Sequence, residues 1–300
     1  MRLYAGVINQ RLVTFTEDRS LLADSQAGSR PHLAVQRQIF AVQHLIDKQV
    51  PAGQKLIGCF LELTAAYDRV SRPLLWEVLG RLGVHGAMLA AVQAMYSSAT
   101  VAARDYRRQG PELPSLTGVK QGCPLSPTLS GLLADGLHNF LQAAARADGI
   151  FVTADLTVTD LGYADDFCLV SATADGLQRL IDGADAWCAA VGMQASPAKT
   201  LVMELTSSEL PQGQWTCSGQ PLRVVSKARY LGVTFQAGKG CMPTFASLRS
   251  KALQAWALLW QQYGRLECGR SMWLMLQLYQ ACVMPAGQLA CEVWGVLPLK

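Results

Sequence analysis

Three hundred residues, half of them hydrophobic, supply enough apolar side chain for a sizeable core in one large or two modest domains, which excludes a disordered tail. Only 16% of residues are charged, and a formal net charge of +4 permits a nucleic-acid partner without demanding one. Nine cysteines, an odd number with no Cys-x-x-Cys pair and no matching histidine cluster, argue against a disulfide framework or a zinc knuckle and for a reducing, intracellular compartment. The first residues lack a long apolar core, and no stretch reaches the roughly 18 uninterrupted apolar residues of a membrane span. The expectation is a soluble, unprocessed chain with no membrane partner.

Apolar residues recur at helical spacing from residue 2 to about 13. Gln26-Ala-Gly-Ser-Arg-Pro31 then breaks the pattern at Gly28 and Pro31, before a second helical run from Ala34 to Ile46. Lys55 to Leu63 reads as a short apolar strand, and Ser71-Arg-Pro opens a helix through Leu82, with Ser71 at the N-cap and Pro73 in the first turn. Between Thr100 and Val119 a polar stretch with Pro111 and Pro114 fits a hairpin; its Arg104, Tyr106, Arg107 and Arg108 interleave an aromatic with cations, as either a solvated face or a nucleic-acid contact. Ser126-Pro127 starts a long helix to about Ala145, and Gly176 to Val191 predicts an amphipathic one. Between those helices, Leu161-Gly-Tyr-Ala-Asp-Asp-Phe-Cys-Leu-Val-Ser171 sets Asp165 and Asp166 side by side. The strand formers Val152, Val158, Phe167, Leu169 and Val170 predict two hairpin arms around them. Aspartate also favours turns for local hydrogen bonding alone. At a sheet edge, however, two adjacent carboxylates suggest a divalent-metal site. Beyond Lys199 short strands end in Ala228-Arg-Tyr-Leu-Gly-Val-Thr-Phe235, and helical texture from about Thr244 to Met284 marks a second subdomain. There are no repeats or long linkers, so one continuous lobe is expected.

Tyr163-Ala164-Asp165-Asp166 resembles the active-site box of reverse transcriptases, and other boxes follow in the matching order. Leu56-Ile-Gly-Cys-Phe-Leu-Glu-Leu-Thr-Ala-Ala-Tyr-Asp-Arg-Val70 resembles the first metal box of LINE-type, non-LTR retrotransposon enzymes, with Glu62 where the family has a catalytic aspartate. Asp68 lies six places later and across the strand-to-helix turn, so it is read as charging the helix start rather than as a substitute ligand. Tyr67 occupies the place of the family's steric gate; on position alone a core aromatic fits as well. Leu116-Thr-Gly-Val-Lys-Gln-Gly-Cys-Pro-Leu-Ser-Pro-Thr-Leu-Ser130 carries a long and specific likeness, and it is similar to the LINE branch rather than to group II intron enzymes. There Gly118 and Gly122 would let the backbone approach a nucleotide or template base, with Gln121 hydrogen-bonding in that groove. Trp187-Cys-Ala-Ala-Val-Gly-Met-Gln-Ala-Ser-Pro-Ala-Lys-Thr200 resembles the box that places a lysine, here Lys199, near the incoming triphosphate. Tyr230-Leu231-Gly232 resembles the primer grip. Gln26-Ala-Gly-Ser-Arg-Pro resembles the finger loop, with Ser29 replacing its aromatic and Arg30 free either to reach a phosphate or to serve structure. Leu278-Tyr-Gln-Ala-Cys-Val-Met-Pro285 and Cys291-Glu-Val-Trp-Gly295 look like the family's thumb and its exit.

The resemblance implies an α+β, right-hand polymerase fold: an antiparallel palm sheet with helices on one face, partial fingers and a helical thumb. Residues 1–54 would be fingers, 55–240 palm with a finger insertion at about 100–119, and 241–300 thumb. It implies RNA-directed DNA synthesis on an RNA template and DNA primer from deoxynucleoside triphosphates. Mg²⁺, with Mn²⁺ as a substitute, would be held by Glu62, the carbonyl of Leu63, Asp165 and Asp166. Tyr67, Gln121, Lys199 and Arg30 would meet the nucleotide, and Tyr230, Leu231 and Gly232 the primer. A glutamate at the first ligand position implies weakened catalysis; the alternative is a decayed remnant that binds nucleic acid without chemistry. The chain opens near the helix preceding the finger loop, so the family's upstream finger segment, endonuclease and zinc knuckle are expected to be missing. A nuclear site is implied by the family only, and protein partners by nothing in the sequence.

Overall fold

The computed structural model describes residues 2–105, 108–211, 213–263 and 271–287; Tyr106, Arg107 and the phrase Cys291–Gly295 lie outside the described residues. In chain order the main elements are α1 (Arg2–Asp18), α2 (Val35–Gln49), β1 (Ile57–Glu62), α3 (Ala66–Arg69), α4 (Arg72–Arg81), α5 (Gly86–Ser97) and α6 (Ser126–Ala145). There follow β2 (Asp160–Tyr163), β3 (Asp166–Ser171), α7 (Ala174–Val191), β4 (Leu201–Glu204), β5 (Arg223–Val224), β6 (Lys227–Tyr230), β7 (Val233–Gln236), α8 (Met242–Tyr263) and α9 (Met272–Leu278).

Five strands form the central sheet in the order β5-β4-β1-β3-β2. All neighbours are antiparallel except β4 and β5, which run parallel at one edge. Successive residues of a strand face opposite ways, and here both faces are apolar. Ile57, Cys59, Leu61, Phe167 and Leu169 enter one cluster with α1, α6 and α7. Phe60, Cys168, Val170 and Met203 enter a second with α2, the β6–β7 hairpin and Leu248 of α8. That explains the unbroken apolar runs of β1 and β3, which a half-exposed sheet would have alternated with polar residues. The two long helices α6 and α7 share one face, while α2 and the hairpin close the other.

Several local expectations shift. Val152 and Val158 do not belong to the arms around Asp165; they sit at a separate small pairing of Ile150–Phe151 with Thr157–Val158. The arms are β2 and β3. Helix α7 begins at Ala174, two residues earlier than expected, because Thr173 accepts from Gly176 N and caps it. Ser71 stands at the N-cap of α4 but its side chain makes no capping bond. The neighbouring Arg72 is buried instead, donating to the carbonyls of Ser115, Thr117 and Gly118 and so tying that loop to the helix start. The 100–114 stretch does pair with itself, Thr100–Val101 against Leu113–Pro114. The seven described cysteines are free thiols, and among the described residues no helix is long and apolar enough to cross a membrane.

Candidate active site

Strand β1 lies beside β3 in a register that puts Glu62 opposite Asp166. The pair Tyr163–Asp166 closes the β2–β3 hairpin, leaving Ala164 and Asp165 as its two connecting residues. Ala164 takes a φ of 58°, a left-handed conformation unusual for a residue with a Cβ. The sharp turn delivers Asp165 into a cleft of about 510 Å³, lined also by Glu62, Leu63, Tyr67, Gln121 and Lys199.

Like charges facing one another across strands repel. Burial first, then the charges of Asp165 and Glu62, push the Asp166 carboxyl up to about 6. Burial and the charge of Asp165 likewise raise the Tyr67 phenol. Glu62 has a cation at hand, since Lys199 Nζ lies 3.2 Å from its Oε1, with the two side chains 69% and 41% exposed respectively. The backbone around Glu62 is fixed by Ser196 N donating to its carbonyl at 2.8 Å and by its own N–H donating to Thr200 Oγ1 at 3.3 Å. Leu63 is buried and bridges to Ala195. The donors are all hard oxygens, the chemistry Mg²⁺ prefers. Among the described residues, however, no three or more His, Cys, Asp or Glu side chains already stand in a metal-holding arrangement. The residues fit a divalent ion in charge and donor type, and Glu62 is turned to a lysine.

The remaining predicted residues separate into two groups. Gln121 is exposed at the cleft and donates to Asp68 Oδ1 at 3.2 Å, linking the loop before α6 to α3. Gly122 has φ 76°, and a Cβ there would meet only the tip of the Arg2 guanidinium, at 4.0 Å. Gly118 differs: a Cβ there would come within 2.9 Å of the Asp68 backbone, so its close approach is to the chain itself rather than to a ligand. Arg30 is likewise committed internally. Its guanidinium donates to both Glu17 carboxylate oxygens and to the carbonyls of Ala23 and Gln26, so it holds the loop between α1 and α2. Ser29 sits in that loop with φ 62°. Tyr230 is buried and donates to the Leu161 carbonyl at 2.9 Å, hanging the β6–β7 hairpin on β2, while Leu231 and Gly232 form its turn with φ 50° and 83°.

Residues 1–235 match the reverse transcriptase (RNA-dependent DNA polymerase) family. The chain belongs to that family. It is 24% identical over 222 residues to the retrovirus-related Pol polyprotein from type-1 retrotransposable element R2 of Popillia japonica, covering 70% of this chain and 36% of that protein. It is 28% identical over 196 residues to the corresponding polyprotein from type-2 element R2DM of Drosophila melanogaster, covering 59% and 17%. The reverse transcriptase domain is thus of the LINE, non-LTR type, and it spans about a third or less of the length of these relatives. Among solved structures, telomerase from Candida albicans in complex with a fragment of telomeric RNA superposes with a TM-score of 0.55 at 15% identity over 96% of this chain and 48% of that one. Apo telomerase from Candida tropicalis gives 0.58 at 13% identity over 97% and 50%. The polymerase fold is therefore shared well beyond sequence likeness.

Sequence reasoning gave no site role to two residues of this reverse transcriptase domain. Gln26 is 2% exposed and bonded to the backbone of the Asp165 turn, and a Cβ on Gly28 would come within 2.0 Å of Ala164 N. Their partners lie far along the chain, so no local pattern marks them; the only signal was a glutamine and a glycine inside a loop already singled out.

Proposed function

We propose that the domain is the RNA-directed DNA polymerase core of a non-LTR retrotransposon enzyme, extending a DNA primer on an RNA template, with catalysis attenuated by Glu62. In this reading residues 1–54 are fingers, 55–240 palm with a finger insertion at about 100–119, and 241–300 thumb. The observation that carries it is the register that sets Glu62 opposite Asp166 at one end of β1 and β3, with Asp165 and Glu62 lining one cleft and with burial, then the neighbouring acids, raising Asp166. Divalent ions bound there would activate the primer 3′-hydroxyl and offset charge on the leaving pyrophosphate. Asp165, Asp166, Glu62 and the Leu63 carbonyl would hold Mg²⁺, or Mn²⁺ with its looser demands. Tyr67, on the cleft wall beside Asp165, would exclude a 2′-hydroxyl. Lys199 would leave Glu62 to neutralise, and donate a proton to, the pyrophosphate. Gln121 would contact the nucleotide groove, and the Tyr230–Gly232 turn would bear on the primer. Arg30 enters only through the loop it holds.

Glutamate carries its carboxylate one methylene farther than aspartate, and a misplacement of about 1 Å can cost about 100-fold in rate. On poly-A primed with oligo-dT, extension by the wild-type chain is expected to be weak with Mg²⁺ and stronger with Mn²⁺. It should rise at least about 10-fold in Glu62→Asp, and vanish in Asp165→Ala. No extension from the Glu62→Asp protein would reject polymerase activity. The Lys199–Glu62 pair favours a second reading, a remnant whose site is neutralised from within. Salt-dependent duplex binding without extension by the aspartate variant would support it.

A further inference from the structure

The left-handed backbone at Ala164 is what turns Asp165 into the cleft, and strained conformations of this kind persist only where their surroundings over-determine them. The finger loop supplies those surroundings. Gln26 Oε1 accepts from Ala164 N at 2.9 Å and from Gly28 N at 2.8 Å, while its Nε2 donates to Ala164 O at 3.3 Å. One primary amide thereby holds both polar groups of a single peptide residue. Gly28 lies directly beneath, where any side chain would collide with Ala164. The loop is stitched to the same hairpin on either side of this clamp, with Ala27 N donating to Gly162 O at 3.0 Å and Gly162 N to Ser25 O at 2.9 Å.

We propose that Gln26 is a positioning residue for the metal-binding carboxylates, fixing the Ala164 turn so that Asp165 and Asp166 face Glu62, and that the finger loop sets metal affinity through it. The inference rests on the polymerase reading above. It gives Gln26 a role without any contact to nucleotide or ion.

The structure also provides a matched control. Gln38 is equally buried and joins the same loop to the same hairpin, its Nε2 donating to Ser25 O at 2.6 Å and to Gly162 O at 2.8 Å. Those bonds stop short of Ala164. Gln26→Met, Gln26→Asn and Gln38→Met are therefore compared on a Glu62→Asp parent. The measurements are Mg²⁺ dependence of primer extension, Mn²⁺ affinity by electron paramagnetic resonance without nucleic acid, KM for nucleotide, duplex affinity and melting temperature. The Gln26→Asn variant keeps an amide but draws it back from Ala164, so it stands in if the methionine variant does not fold. Both Gln26 variants are expected to need about 10-fold more metal and to lose about 10- to 100-fold in kcat, with KM and duplex affinity little changed. Gln38→Met should lose comparable thermal stability at unaltered metal dependence. Equal metal shifts at positions 26 and 38, or none at 26, would overturn the proposal while leaving the polymerase intact. A parent that neither binds Mn²⁺ nor extends primer would instead take down the polymerase reading, and this inference with it.

Discussion

At position 62 one methylene changes what a carboxylate meets. Glu62, the last residue of β1, carries its carboxylate one methylene farther out than an aspartate would and meets Lys199, 137 residues away. Each acid was legible because its box is a contiguous phrase; the ion pair was not, since nothing local to either residue announces the other. Asp166, opposite Glu62, feels burial first and the neighbouring acids second. Its carboxyl, raised from 3.8 to about 6, favours the protonated form in the fold. The sign follows from linkage: this group's contribution is fully present below about pH 4 and is lost as pH rises through about 6. Asp166→Asn should therefore raise the melting temperature of the metal-free domain at pH 7.5 by about 2–3 °C, on the order of 1 kcal/mol after discounting for solvent screening. At pH 4.5 the two proteins should melt nearly together. Melts in a chelator at the two pH values decide it, and an equal offset at both would show that charge is not the cause.

Between elements, the loop from α1 to α2 does more than connect. Beside the Gln26 clamp, Ser25 Oγ lies 2.7 Å from His138 Nδ1 on α6, and that nitrogen lies 2.9 Å from Asp160 Oδ1 on β2. Asp160 is 1% exposed. Burial works to lower the His138 pKa, but the Asp160 hydrogen bond and the charges of Asp160, Asp135 and Asp24 outweigh it and leave it raised. Stability from this joint is then complete below about pH 6.5 and lost as pH climbs through the raised value. His138→Gln should cost about 1–2 kcal/mol at pH 6 and less at pH 8.5, read from urea midpoints at the two pH values; a cost that grows with pH would contradict the joint. Helix ends with a proline, such as Ser126-Pro127, were readable from sequence because the start signal is local. This three-element junction was not, because serine, histidine and aspartate separated by 113 and 22 residues leave no period to detect. Edge pairing was equally hidden: β5 is only two residues long, too short for its own composition to announce a parallel partnership with β4.

For the molecule as a whole, a single sheet carries both apolar clusters, one on each face. Alternation along β1 sends Cys59 and Leu61 to the α6–α7 side and Phe60 to the α2 side within three consecutive residues. The order of boxes in the sequence foretold a central sheet, whereas the covering of its second face by α2 and the β6–β7 hairpin rests on contacts between segments 198 residues apart, such as Cys241 N donating to Gln43 Oε1 at 3.0 Å. Phe235 tests the coupling. It is fully buried on the second face, 6.5 Å from the Phe60 ring centroid and on the far side of the sheet from α7. Phe235→Ala should destabilise the domain by about 3–5 kcal/mol, the usual cost of deleting a buried aromatic ring. If the sheet makes both layers one cooperative unit, amide exchange in Ala174–Val191 should accelerate by the same free energy as exchange in Lys227–Tyr230. Faster exchange confined to the hairpin, with α7 protected as before, would instead divide the domain into two separately unfolding layers.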